Sequence, residues 1–571
     1  MTKKGMDSEK LPQIIFWVTA FFMMIFGLGG SPLWASEDRW AEIARQMLTT
    51  GDWFHPAING EVYFDKPLLS YWPIVLLAKI TGILNEFIIR LPSAVSALIA
   101  LYGTMKLATK MWGRQVGIAS GWLLLCGYGF IFQGRLAAAD MMNMTAVVLA
   151  VLCFFNSKDK AGFWSYLLFW IICFCGALTK GLPALVLPPI LVGIYVLLDG
   201  TWKKHLKISN SVALLIGLLI FLSTFFISSG LPLPEGFQSS DSGLTGLEPV
   251  WRENVVRVFN PFDHNDEPLF IYLLHVPRIM APWSLLLFVA VLAVARCWKK
   301  LDLNTRWLLL VNAVIFLMFS ASGSRRWYYI LPIAPFLAIL IAEYIGGDNH
   351  YRWRDWWAMV HCRVFTVVCG LAVLMIPVIP LVLSLDFLPE DIKHIPGIII
   401  WILPMAAVPA FAILTIWREK SSVYTGLPRL WAAPVLAATV IFVGIFAVIY
   451  PEASSLRSEK AFAIELKHGL REVAYENIAF FPKVHPKVVF YMDAEKPITV
   501  LNNVEELKLF SDFSNGEKYL IAETRSSTLE DILSVIPDLS VEHAEYQERH
   551  VPFEKSGARK LKCWKLVRGV K

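Results

Sequence analysis

Residues 11–69 read LPQIIFWVTAFFMMIFGLGG followed by SPLWASEDRWAEIARQMLTTGDWFHPAINGEVYFDKPLL, and the break after Gly30 decides the fold. Leu11–Gly30 is an apolar run of about 20 residues, enough to cross the hydrocarbon core of a bilayer. A secretory signal would have a shorter apolar stretch and a small-x-small cleavage site, so this run is expected to remain as an anchor with its N-terminus in the cytoplasm. Ser31–Leu69 then packs Glu37, Asp38, Arg39, Glu42, Asp65 and Lys66 beside Trp34, Trp40, Trp53, Tyr63 and Phe64. Charges and aromatic rings this dense beside a span suggest a site at the lipid surface.

The rest of the 571-residue chain repeats the apolar theme: it is 56% hydrophobic and 17% charged. Soluble domains carry about 25% charged residues, so this is a membrane composition. The net charge of +6 is distributed in short basic clusters between apolar runs. That pattern is one of topology and gives no reason to expect a nucleic-acid partner. The cysteines have no zinc spacing, and most lie inside apolar runs.

Thirteen runs of spanning length are read, near 11–30, 87–107, 115–134, 139–155, 162–179, 182–198, 208–228, 278–296, 307–322, 328–346, 364–385, 395–416 and 430–450. Pro67–Ile80 is also apolar, but Pro67, Pro73 and Lys79 make it a helix lying in the outer interface. With thirteen spans every inner loop is basic, as short cytoplasmic loops should be. The outer face then receives residues 31–86, residues 229–277 and a tail, 451–571. In that tail KVVFYMD and KYLIAET read as buried strands, Glu505–Phe513 and Leu529–Ile536 as helices, and ARKLKCWKLV as a last strand. The expectation is a mainly α membrane domain, 1–450, with a small α/β domain, 451–571, outside.

Four outer segments carry candidate chemistry. In Ser36–Leu48, Trp40, Ile43, Ala44, Met47 and Leu48 form one apolar helical stripe, with Ser36 as N-cap and Glu37 and Asp38 in the first turn, where the dipole favours anions. An interfacial helix with favourable end charges accounts for this equally well. Asp140 opens the helix after Gly134-Arg135, either as a functional acid or as an N-cap paired with Arg135. Lys180 sits in a short turn where snorkelling would also explain it. Glu248–Pro282 carries Arg257 and an Asp263-His264-Asp266-Glu267 cluster, which reads more simply as a solvated loop than as a metal site. Ser320–Pro332 carries Arg325 and Arg326 beside Trp327, Tyr328 and Tyr329. Arginines on the translocated side need a reason, and an anion supplies one.

In order, the motifs xExRWAEIARQML, GDW, NGxxYFDKPLLxYW, RLPSA, GRLxxxDM, LTKG, WRENVVR and SGSRRWYYILP resemble the bacterial branch of the protein O-mannosyltransferase superfamily, with greatest similarity to the aminoarabinose lipid A transferases. The resemblance implies a C-type membrane glycosyltransferase fold of the bacterial inner membrane. It also implies a polyprenyl-phosphate-linked sugar donor, used on the periplasmic face, and a glycolipid acceptor such as lipid A. The family's first loop begins with paired acids where this chain has Ser36-Glu37-Asp38. The resemblance therefore assigns the catalytic base to Glu37, with Asp38 the alternate and Asp140 a second acid. It gives the donor phosphate to Arg39, Lys66, Arg257, Arg325 and Tyr329. No cofactor is required; a divalent cation is left open, with Asp65 and His264 as its ligands, and a monomer is expected. Two other readings stand beside this one: the same chemistry on a protein acceptor, and a lipid-linked sugar transporter, whose site should lie at the bilayer midplane.

Overall fold

A computed structural model describes residues 3–34, 36–238, 267–349, 351, 353–375, 426–455, 458–511, 517–523, 526–536, 546–547 and 561–566. The N-terminal part is helical: α1 (Lys3–Ile25), α2 (Glu37–Thr50), α3 (Trp72–Thr81), α4 (Glu86–Trp112), α5 (Arg114–Leu125), α6 (Tyr128–Gly134), α7 (Ala139–Ser157), α8 (Phe163–Lys180), α9 (Pro183–Leu198) and α10 (Ile208–Gly230). After the second large loop come α11 (Tyr272–Met280), α12 (Ser284–Arg296), α13 (Leu303–Ala321), α14 (Ala334–Gly346), α15 (Arg354–Met375) and α16 (Arg429–Gly444).

Among the described residues, five helices are long and apolar enough to cross a membrane, and two bent pairs raise that to seven. The bent pairs are α5 with α6, at 67°, and α11 with α12, at 112°. Of five shorter apolar helices, four cover further expected runs and the fifth is α3. The runs expected at 364–385 and 395–416 fall partly or wholly outside the described residues. Pro67–Ile80 becomes a single 3₁₀ turn, Leu68–Ser70, followed by the ten-residue α3, too short to span.

Water provides no drive for helix association in lipid, so close backbone approach has to. A Cβ on Gly176 of α8 would lie 2.5 Å from the Cβ atoms of both Ala146 (α7) and Ala184 (α9). Gly103 of α4 likewise faces Val148 of α7, and an added Cβ would fall 2.9 Å from its Cγ1. Helices α4, α7, α8 and α9 therefore pack tightly, and the loops at their ends are held in register.

The C-terminal part is a five-stranded sheet in the order β4-β3-β5-β7-β6: β3 (Ile478–Phe481), β4 (Thr499–Val500), β5 (Lys518–Glu523), β6 (Tyr546–Gln547) and β7 (Leu561–Leu566). β3 pairs in parallel with β4 and β5, and β7 pairs antiparallel with β5 and β6. Helices α17 (Lys460–Gly469), α18 (Pro486–Met492), α19 (Val504–Phe510) and α20 (Ser526–Val535) accompany it.

One expected element is corrected. KVVFYMD is a helix, α18, and the strand lies upstream at Ile478–Phe481. Pro486 in its first turn suits a helix start, and Asp493, at φ 54°, closes it. Its residues serve two partners: Val488, Val489 and Met492 pack into the C-terminal core, whereas Phe490 joins the apolar cluster of the first loop. A strand also shows two faces, so a short apolar run does not distinguish the two by period.

Candidate active site

Helix α2 builds the floor. Trp40, Ile43, Ala44 and Met47 are buried with Leu68, Tyr71, Ile74 and Phe490, as the stripe requires. Gly51 ends the helix at φ 74°, a conformation that costs glycine little. Ser36 occupies the N-cap position but makes no side-chain cap bond. Glu37 instead reaches back to the chain before the helix, its Oε2 accepting the backbone N–H of Trp34 at 2.8 Å.

Glu37 is a structural anchor. Arg90 of α4 donates to both of its oxygens, Nε to Oε1 at 2.8 Å and Nη2 to Oε2 at 2.7 Å, and the N–H of Ala137 donates to Oε1 at 2.8 Å. With Trp34 this fills the four acceptor positions of a carboxylate. Arg90 in turn donates to the carbonyls of Leu28, Ser31 and Pro32. Glu37 thus ties the end of the first apolar helix to α4 and to the loop before α7, and it has no oxygen lone pair left for an acceptor proton.

Asp38 points elsewhere. It is half-buried, its Oδ1 accepts the N–H of Arg39 at 2.8 Å, and it lies within electrostatic reach of Lys487 on α18. Burial pushes its carboxyl above the ordinary range; Lys487 and Arg39 oppose that shift without cancelling it.

The remaining candidates converge. Arg39 Nη1 donates to Tyr63 Oη at 2.7 Å and to Asp65 Oδ2 at 3.2 Å, and Lys66 Nζ reaches Asp65 Oδ1 at 2.7 Å. Burial alone would lower the Arg39 pKa, but Tyr63 and Asp65 outweigh it and hold the guanidinium charged. Across from them Lys180 is ion-paired with Asp140, its Nζ 4.4 Å from the Tyr329 ring centroid and 5.2 Å from that of Tyr328. Tyr328 is within electrostatic reach of both Asp140 and Arg39, and Leu69 packs against α8 beside Ala177 and Leu178. Among the described residues, Arg39, Lys66 and Lys180, the carboxylates Asp65 and Asp140 and several aromatic rings therefore share one end of the helix bundle, with Arg326 within electrostatic reach of Tyr328.

Of the two readings of Asp140, the pair with Arg135 is not formed. Arg135 instead donates to the carbonyls of Met23, Met24 and Phe26, and Lys180 takes the carboxylate. Arg325 is held by the carbonyls of Ser320 and Glu267. Arg257 and His264 lie outside the described residues. Asp65, the other expected metal ligand, is engaged by Arg39 and Lys66, and among the described residues no three His, Cys, Asp or Glu side chains gather as a metal site.

The sequence reading missed Lys180 as the partner of Asp140 and Arg90 as that of Glu37. A signal for Arg90 was present, because a charge inside an apolar helix demands a partner. It also passed over the joint between the two parts of the chain. Tyr491 Oη accepts the N–H of Leu33 at 2.9 Å and donates to Glu86 at 2.9 Å, while Lys460 reaches Glu86 at 2.5 Å. Asn59 exchanges two hydrogen bonds with the backbone of Ile498, at 2.7 and 2.8 Å.

Comparison with known proteins bears on the fold that carries these residues. Residues 65–228 match the family described as dolichyl-phosphate-mannose-protein mannosyltransferase. The solved structure of ArnT from Cupriavidus metallidurans in the apo state superposes with a TM-score of 0.71 over 97% of each chain, at 18% identity. The chain has the fold of ArnT. The same protein bound to undecaprenyl phosphate gives the same score over 96% of this chain. The undecaprenyl phosphate-alpha-4-amino-4-deoxy-L-arabinose arabinosyl transferase of Enterobacter sp. (strain 638) is 28% identical over 363 residues, 60% of this chain. The matched region spans 61% of that relative's length. The family resemblance read from the motifs is borne out, and with its apolar helices the chain is a multi-pass membrane protein.

Proposed function

We propose that the chain is an integral membrane glycosyltransferase that moves a sugar from a polyprenyl-phosphate carrier to lipid A or a related envelope glycolipid. The observation that carries this reading is the excess of cations in the cluster: among the described residues Arg39, Lys66 and Lys180, with Arg326 within electrostatic reach of the same Tyr328, stand against Asp65 and Asp140. A net positive site suits the anionic phosphodiester of a lipid-linked sugar. The relatives named for undecaprenyl phosphate, and the ArnT structure that holds it, support the same donor. In this reading thirteen spans put the cluster and the C-terminal domain, 451–571, on the periplasmic side of the inner membrane. The enzyme acts as a monomer.

The donor phosphate takes Lys66, Arg39 and Lys180, and the Tyr329 ring keeps the Lys180 ammonium aimed at it. Once Lys180 turns to the phosphate, the Asp140 carboxylate is released from its ion pair and can take the acceptor's proton as general base. The acceptor oxygen bonds to the anomeric carbon as the bond from that carbon to the phosphate oxygen breaks. The acceptor proton passes to Asp140, and the electron pair leaves on the carrier phosphate, whose charge rises toward two. Cations already in place stabilise that charge without reorganising. Glu37, with its lone pairs spent on Arg90, Ala137 and Trp34, holds the loop.

The test is transfer of radiolabelled sugar by purified protein from an undecaprenyl-phosphate donor to lipid A, in detergent and without any ion gradient. Asp140→Asn should lose transfer while remaining folded. Full activity in Asp140→Asn with loss in Asp38→Asn would move the base to Asp38. Sugar on envelope proteins in place of lipid A would select the protein-acceptor reading.

A further inference from the structure

At the end of the bundle opposite Asp140 and Lys180, a cavity of about 140 Å³ lies among α7, α8, α9 and α10. Its lining includes Phe154, Phe169, Pro189, Val192, Gly193 and Val196, with Tyr166, His205 and Asn210 at one side. Apolar cavities of roughly 150 Å³ stay dry and take up a benzene ring, so several methylenes fit here. The polar side is already internally satisfied: Tyr166 Oη meets His205 Nδ1 at 3.2 Å, and Asn210 accepts the Trp170 indole N–H at 2.9 Å and donates to the His205 carbonyl. What the cavity offers a ligand is apolar surface.

Two loops border it, 158–162 and 199–207. They carry Lys158, Lys160, Lys203, Lys204 and Lys207 against Asp159 and Asp199. Lys207 Nζ donates to the carbonyl of Ala161, a lining residue, at 3.1 Å, which pins the basic loops to the cavity. Trp164, Leu206 and Ile208 lie beside them, 78%, 74% and 85% exposed, as side chains at a lipid interface do. Topology alone would account for lysines in short loops. A preformed apolar cavity next to them is a separate feature, and the two together match a molecule with one anionic and one aliphatic end.

We propose that this end of the bundle holds one anionic glycerophospholipid, an acyl chain in the cavity beside Gly193 and its phosphate on Lys203, Lys204 and Lys207. The site is independent of the transfer reaction and lies on the other face of the membrane from it.

Native mass spectrometry of the delipidated full chain tests this, with dioleoyl phosphatidylglycerol, dioleoyl phosphatidylcholine and glycerol 3-phosphate as probes. One phosphatidylglycerol should be retained at least tenfold more tightly than phosphatidylcholine, whose choline cancels its phosphate charge, since each lysine facing a net-anionic lipid contributes roughly fivefold. Glycerol 3-phosphate, with no chain, should not be retained. The triple variant Lys203→Gln, Lys204→Gln, Lys207→Gln should bind the two lipids equally. A Cβ on Gly193 meets nothing within 4 Å, so Gly193→Phe fills the cavity from within and should remove the retained lipid although every lysine remains. Gly193→Leu is run beside it, and both are compared with the parent at equal melting temperature. Equal retention of both lipids by the parent, undiminished binding in the two Gly193 variants, or tight binding of glycerol 3-phosphate would each overturn the proposal.

Discussion

Glu37→Gln separates a structural carboxylate from a catalytic one. In the native chain Arg90, 2% exposed at its side chain, is neutralised by Glu37, also 2% exposed. Glutamine keeps the shape but loses the charge, and it replaces one acceptor oxygen by an NH₂ that faces a donor. Removing one partner of a buried ion pair costs about 3–5 kcal/mol, because the other charge is left uncompensated. At about 2.1 cal/mol/K per residue, the 571-residue chain has an unfolding entropy near 1.2 kcal/mol/K, so the melting temperature should fall by roughly 2.5–4 °C. The assay is a fluorescence melt in detergent, paired with single-turnover sugar transfer at a temperature where the variant is still folded. Transfer per folded molecule should stay within a few-fold of the parent. The double variant Glu37→Gln, Arg90→Met should recover much of the lost stability, since no unpaired charge remains. A variant that melts like the parent yet transfers no sugar would refute the anchor role and return Glu37 to the chemistry.

Lys66→Ala and Lys180→Ala should each lower kcat/KM by roughly 10–150-fold, the range for one charged hydrogen bond of about 1.5–3 kcal/mol, measured against donor concentration. Asp38, whose carboxyl burial raises above its ordinary value of 3.8, is protonated more readily in the folded chain, so its contribution to stability falls as pH rises through the raised pKa. Asp38→Asn should therefore gain on the parent in melting temperature from pH 4 to pH 7; a constant gap would contradict this. Tyr491→Phe leaves the Leu33 N–H without its acceptor and should cost about 1–3 kcal/mol, seen as faster proteolysis between the membrane helices and the C-terminal sheet. Transfer should continue in EDTA, because Arg39, Lys66 and Lys180 supply the positive charge; loss that magnesium restores would install a metal.

The parts of the fold that rest on one-dimensional pattern were legible. Apolar runs located the membrane helices, and the stripe Trp40-Ile43-Ala44-Met47 located the buried face of α2. The failures are failures of partnership. Glu37, Asp38 and Arg39 are adjacent in sequence and about 100° apart around a helix, so they face three different neighbours, Arg90, Lys487 and Asp65. Nothing in the spacing says which neighbour each one meets. Lys180 and Asp140 are 40 residues apart, joined only because α7 and α8 pack side by side. The α18 segment failed for a different reason, since seven residues with apolar groups on two sides satisfy either period.

The joint between the first loop and the C-terminal sheet also has a consequence in time. Tyr491 meets Leu33 across 458 positions, Ala494 meets Arg45 across 449 and Ile498 meets Asn59 across 439. Synthesis proceeds at about 5–20 residues per second, so the first loop emerges roughly 20–90 s before the segment that completes it. Throughout that interval Trp40, Ile43 and Tyr71 lack the Phe490 side chain that finishes their cluster. The residues around the candidate active site are thus among the first to be made and the last to be assembled, and a chain halted before Pro486 would display the unfinished cluster to any quality-control protease.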